Sequence, residues 1–195
     1  MCSSFAKFCL LLALDYMDKV NRVYRLLREK FPKEYQCHLQ FVLAVAEDLQ
    51  KERGGDLDVV KVGAIAHDFG REENGNNDNH PQRGAELIKP VLEELGFEAD
   101  KILKIQDCIA YKKGDAFKSI EAEIVYNADV ASKILQHEAF MLMVKKDTFR
   151  ERAEWAMKYL DRIEKITILS LKEKCLSKYQ ELKQIYKYVL TDYKF

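Results

Sequence analysis

An all-α fold is what this chain predicts, and three observations carry the prediction. Only three prolines (Pro32, Pro81 and Pro90) and eight glycines interrupt 195 residues. Apolar residues recur at spacings of three and four, the period of a helix face, and not at the spacing of two that a half-buried strand requires. The punctuating residues, Gly54-Gly55, Asp56 and Gly70 among them, fall between the periodic runs, where helices stop and start.

The pattern places helices near 16–30, 34–52, 57–69, 80–95, 99–112, 119–142 and 147–166, with a long final one over about 169–191. Ahead of the first lies the apolar stretch Phe8 to Leu14. It has the length of a signal-peptide core, but it is too short to span a bilayer and no small-residue cleavage site follows it. Met17 is an equally good start, so residues 1–16 read either as an upstream extension or as an extra amphipathic turn. Gly54-Gly55 stops the second helix and Asp56 is placed to cap the third. Gly70 ends that third helix just after His67-Asp68, which leaves the pair on its last turn. Residues 72–79 read Glu-Glu-Asn-Gly-Asn-Asn-Asp-Asn, a polar loop, and Pro81 then takes a first-turn position that sets His80 at a helix N-terminus. A break near Lys145-Lys146-Asp147 separates a domain over 17–145 from a helical extension over 146–195 packed on it. In the extension Trp155, Tyr159, Tyr179 and Tyr186 form an aromatic stripe that reads as packing.

Charge removes one class of partner. Lys+Arg and Asp+Glu balance at 32 each, so there is no overall positive field to hold duplex nucleic acid. The five cysteines, Cys2, Cys9, Cys37, Cys108 and Cys175, are odd in number and lack a CxxC pair. That argues against a disulfide framework or a zinc knuckle and fits a reducing, cytoplasmic setting. Cys37 reads as packing. No membrane partner is expected, and homo-oligomerisation is left open.

The chemistry concentrates at His67-Asp68, an adjacent imidazole and carboxylate suited to binding a metal. Three of the four histidines, His38, His67 and His80, fall within one 43-residue window. His38 has Phe41, Val42, Val45 and Leu49 at helical offsets, so its ring points inward. Asp129 sits among Ala122, Val125, Ala128 and Ile134, where an unpaired carboxylate costs several kcal/mol on burial. It therefore needs a cation, a metal or an arginine, unless it faces solvent beside Asn127 and Lys133. His67 and Asp68 lie about 100° apart on a helix and can converge only near its end. Two imidazoles and two carboxylates make an N2O2 set that suits one divalent ion, Mn, Fe, Co, Ni, Zn or Mg, with positions left for water and substrate oxygens. His137, between Gln136 and Glu138, reads as incidental on a solvated face.

The order His38, His67-Asp68, Asp129 on a helical background resembles the HD-domain superfamily of metal-dependent phosphohydrolases. The likeness covers about residues 20 to 140, through His67-Asp68-Phe69-Gly70-Arg71, His80-Pro81-Gln82-Arg83-Gly84-Ala85 and Asn127-Ala128-Asp129. It implies an HD-type helical bundle in which His38, His67, Asp68 and Asp129 bind the metal. The implied reaction is hydrolysis of a small phosphate ester, often a nucleotide, by metal-activated water, with Asp68 also orienting that water. His80 is placed to bind phosphate or protonate the leaving oxygen, or simply to cap the loop. Arg71, Arg83, Lys112 and Lys113 are candidate phosphate contacts, each with a solvated-surface alternative. The chain departs from two-metal members of the superfamily, because the region that carries further histidines reads Tyr111-Lys112-Lys113-Gly114 here. One metal is expected. The competing class is a non-catalytic module that uses the same cage to bind a metal, a nucleotide or a partner.

Overall fold

The computed structural model describes residues 19–72, 79–111 and 116–191. These residues are helical with no strand among them. α1 is the helical run over 19–30; α2 spans Lys33–Arg53, α3 Leu57–Ala66, α4 His80–Glu94, α5 Ala99–Ala110, α6 Ile120–Leu135, α7 His137–Leu142, α8 Phe149–Leu160 and α9 Leu169–Thr191. A 3-10 turn over Asp161–Lys165 links α8 to α9. Segment 1–16, most of the polar loop, and Lys112 and Lys113 lie outside the described residues. No helix among the described residues is long and apolar enough to cross a membrane.

Local chemistry starts the helices where the sequence puts short polar side chains. The Asp56 carboxylate accepts from the amides of Asp58 and Val59, and Ser119 accepts from Ala122. Thr148 and Glu151 form a reciprocal capping box at the head of α8.

Three boundaries differ from expectation. α3 ends at Ala66, and His67 to Gly70 form a turn closed by the Phe69 and Arg71 amides on the Ala66 and Asp68 carbonyls, so the His-Asp pair lies on a turn and not inside a helix. The single helix expected over 119–142 breaks at Gln136 (φ −115, ψ 40) into α6 and α7. The helix expected over 147–166 tightens into the 3-10 turn after Leu160.

Gly70 is needed for close approach. A Cβ there would stand 1.9 Å from the His80 carbonyl oxygen, and one on Gly84 would meet the Gly70 nitrogen at 2.9 Å. The turn carrying His67-Asp68 is thus in backbone contact with the head of α4, which brings His80 to the pair.

α6 runs through the middle of the molecule and touches α2, α3, α5, α7, α8, α9 and the 3-10 turn. Val42, Ile65, Ile105 and Ala128 share one buried cluster with Leu160, Ile163, Leu171 and Leu182, so the C-terminal extension joins the core of the preceding domain. The Asn127 side chain, fully buried, fastens the two together by accepting from the Thr167 and Ile168 amides at 2.8 and 3.3 Å.

Two single-residue readings are corrected. His137 is buried, 3% exposed, with Nε2 2.7 Å from the Tyr186 hydroxyl, because the break at Gln136 turns α7 back onto α9. Cys37 is exposed: it adjoins His38 in sequence and so falls on the next face of α2, away from the core.

Candidate metal centre and its cavity

Four elements deliver the site. α2 presents Tyr35 and His38 one turn apart, the turn after α3 presents His67 and Asp68, α4 opens with His80, and α6 carries Asp129 and Lys133. Register between α3 and α6 is fixed at their heads, where the Glu121 carboxylate, 3% exposed, accepts the Asp56 amide at 2.9 Å.

The Nε2 atoms of His38 and His67 stand 3.2 and 3.3 Å from the same oxygen, Asp129 Oδ1. The ligand atoms of these three residues all lie within 4.8 Å of one another. Both nitrogens are buried and neither has a hydrogen-bond partner in suitable geometry. An orphaned buried polar atom costs about 1–3 kcal/mol, and a cation held against Asp129 would satisfy both nitrogens at once. The Nδ1–H of His67 donates to the Ala64 carbonyl at 2.8 Å, which fixes the ring with Nε2 toward the carboxylates. The donor set therefore fits a divalent ion. Asp68, the fourth expected ligand, adjoins this trio through a 3.2 Å contact of Oδ2 with His67 Nε2.

Asp68 is held from every side. Its Oδ2 accepts the Tyr35 hydroxyl, while Oδ1 faces Arg71 Nε at 2.8 Å and His80 Nε2 at 3.2 Å. Burial works against its ionisation, but the charge of His67, the close approach of the His67 and His80 rings, and the charge of Arg71 outweigh it and keep the carboxyl well below its usual range. Burial likewise opposes ionisation of Asp129, and there the charges of Lys133 and His67 prevail. Burial lowers the pKa of His38 and so favours its neutral, lone-pair form. His67 behaves oppositely: burial disfavours its charge, yet Asp68 and Asp129 raise it to about 10, so the metal-free ring is protonated and must lose that proton to ligate.

The cation that the sequence demanded for Asp129 is present without a metal. Lys133, one helical turn on, places its ammonium on Asp129 Oδ1 with its side chain only 9% exposed. It is a lysine from the same helix, where the sequence had offered an arginine.

The cage floors a cavity of about 360 Å³. Tyr111 and Tyr126, edge to face at 4.7 Å, line one side. Phe140, Trp155, Tyr159 and Arg162 line another, with Phe140 and Trp155 stacked at 5.0 Å. The aromatic stripe of the extension is thus only partly core: Trp155 and Tyr159 face the cavity. Arg71 lines it as well, and Arg83 does not. Arg83 Nε donates to the Gly70 carbonyl at 2.8 Å and its Nη1 lies 3.0 Å from Glu72, which clamps the turn. Tyr35, Lys133 and Arg162 are cavity residues that sequence reasoning missed. Tyr35 and Lys133 share helix faces with His38 and Asp129 at offsets of three and four, a readable signal, whereas Arg162 carries none.

The HD-domain pattern matches residues 35–134, which contain all four expected ligands, and this chain belongs to the HD-domain family. No curated protein sequence matches it. Among solved structures, YpgQ of Bacillus subtilis in complex with ADP superposes with a TM-score of 0.68 at 15% identity, covering 92% of this chain and 97% of that one. An HD-superfamily hydrolase from Bacillus thuringiensis gives 0.64 at 17% identity, covering 90% and 97%. At these identities the likeness is one of fold.

Proposed function

We propose that the chain is a metal-dependent phosphohydrolase that cleaves a small phosphate ester, with nucleotides the first class to test. The observation that carries this reading is the pair of unsatisfied Nε2 atoms of His38 and His67 facing Asp129 Oδ1 on the floor of a ligand-sized cavity. In this reading His38, His67 and Asp129 hold one ion, with Asp68 as the fourth ligand. When bound, a divalent ion supplies Lewis-acid polarisation of a phosphoryl oxygen and lowers the pKa of water toward neutrality.

The chain's own groups do the rest. Asp68, kept ionised and immobilised by Tyr35 and Arg71, orients the attacking water. His80, 3.2 Å from Asp68 Oδ1, holds a proton for the leaving oxygen. Arg71, which spans Asp68 and the cavity wall, contacts the phosphoryl group. Phe140 and Trp155 shield this chemistry from bulk water. The ADP in YpgQ supports starting with adenine nucleotides, and the absence of histidines over 111–114 supports a single ion.

Elemental analysis of the purified protein beside Asp129→Ala, each normalised to folded protein, combined with a phosphate-release screen, tests the reading. About one divalent ion per chain, lost in the variant, together with release of phosphate from an ester is expected. No bound metal in either protein and no hydrolysis would overturn it.

A further inference from the structure

Among the described residues, Arg162 is the one lysine or arginine lining the cavity that no acidic side chain holds. Arg71 is paired with Asp68 and Lys133 with Asp129. Arg162, on the 3-10 turn after α8, is half-buried and lays its guanidinium over the Tyr159 ring, 4.0 Å from the centroid. Its charge also reaches the Tyr126 hydroxyl on the neighbouring wall. A guanidinium stacked in this way keeps its edge N–H groups free and pre-oriented, which suits planar recognition of phosphate or carboxylate.

The charges around the cavity point the same way. Two carboxylates, Asp68 and Asp129, face three cations, Arg71, Lys133 and Arg162. With His38 and His67 neutral, as ligation requires, and the His80 proton left out of the count, the lining is positive by one unit before any ion binds, and a divalent ion adds two more. A phosphate monoester brings roughly two negative charges. One positive charge is left over, and Arg162 is the group without a partner.

We infer that Arg162 binds a second anionic group on the substrate, a phosphate or carboxylate distinct from the phosphoryl group that is cleaved, and so selects among phosphate esters. The inference rests on the hydrolase reading and deepens it, because it names the substrate class as esters that carry another anionic centre.

Calorimetric titration of the full chain in Mg²⁺ buffer, wild type beside Arg162→Ala and Arg162→Lys, tests it with two pairs of probes. AMP and ADP differ by a phosphate; methyl phosphate and phosphoglycolate differ by a carboxylate. Wild type should prefer the doubly anionic member of at least one pair by about tenfold, Arg162→Ala should lose that preference while binding the singly anionic member as before, and Arg162→Lys should recover part of it. The pair that responds identifies the second group. Equal preferences in wild type and Arg162→Ala would overturn the inference and leave the hydrolase reading standing. A wild type that binds none of the four compounds would remove both.

Discussion

Asn127 accepts the Thr167 amide at 2.8 Å and donates to the Thr167 hydroxyl at 2.9 Å. Asn127 lies two residues before Asp129 and Thr167 two residues after the 3-10 turn that bears Arg162, so one side chain sets the distance between cage and far wall. Asn127→Leu strips partners from the amides of Thr167 and Ile168 and should destabilise the protein by about 1–3 kcal/mol. Urea unfolding followed by fluorescence of Trp155, the single tryptophan, measures it. An unchanged midpoint would mean the latch is dispensable.

Lys133 and a metal ion compete for Asp129. Lys133→Met leaves that carboxylate without its ammonium and should cost the metal-free protein about 3 kcal/mol. The same change should tighten metal binding by about tenfold, since the ion no longer displaces or abuts a cation. Thermal melts with and without Mn²⁺, together with a Mn²⁺ titration, read both effects. Weaker metal binding in the variant would contradict the competition.

His67 links metal affinity to pH. Its pKa is raised from 6.5 to about 10, so the stabilisation its proton gives the metal-free protein is fully present below pH 6.5 and is lost as pH rises through about 10. A ligating ion has to expel that proton. Metal affinity should therefore climb across this window, with close to one proton released per ion near neutrality. Titration calorimetry in buffers of different ionisation enthalpy counts the protons, and uptake without release would exclude His67 as a ligand.

Gly70 tolerates no side chain. Gly70→Ala places a carbon against the His80 carbonyl, which is backbone and cannot swing aside. The variant should lose about 3 kcal/mol or more of stability and, because the turn carries His67-Asp68, most of its metal. Melting temperature and metal content report the two losses separately.

Much of the candidate cage was legible because each expected ligand announces itself locally. His38 lies on an apolar stripe, Asp129 is a carboxylate in apolar surroundings, and the His67-Asp68 pair closes a helix beside a glycine. The Asp56 cap was equally readable. The break at Gln136 was not, since no glycine or proline marks it and the contacts α7 makes, with α2 and α6 and through His137 with Tyr186 of α9, exist only in the folded chain. His137 was misread for the same reason. The cavity wall is a tertiary product: Trp155, Tyr159 and Arg162 have the spacing of an ordinary helix, and only the folding of the extension against α6 gives them a cavity to face. Lys133 was legible in principle, four residues after Asp129, but a lysine beside an aspartate reads first as solvated surface.

The HD-domain match ends at residue 134, before Trp155, Tyr159 and Arg162. In the proposed reading, bond-breaking falls within the matched stretch and the selecting arginine beyond it, the two joined by the Asn127 latch. On that reading, descendants of this protein could change what they accept by rewriting residues 149–165 while inheriting the candidate cage intact, and an engineer could graft a new far wall without touching an expected ligand.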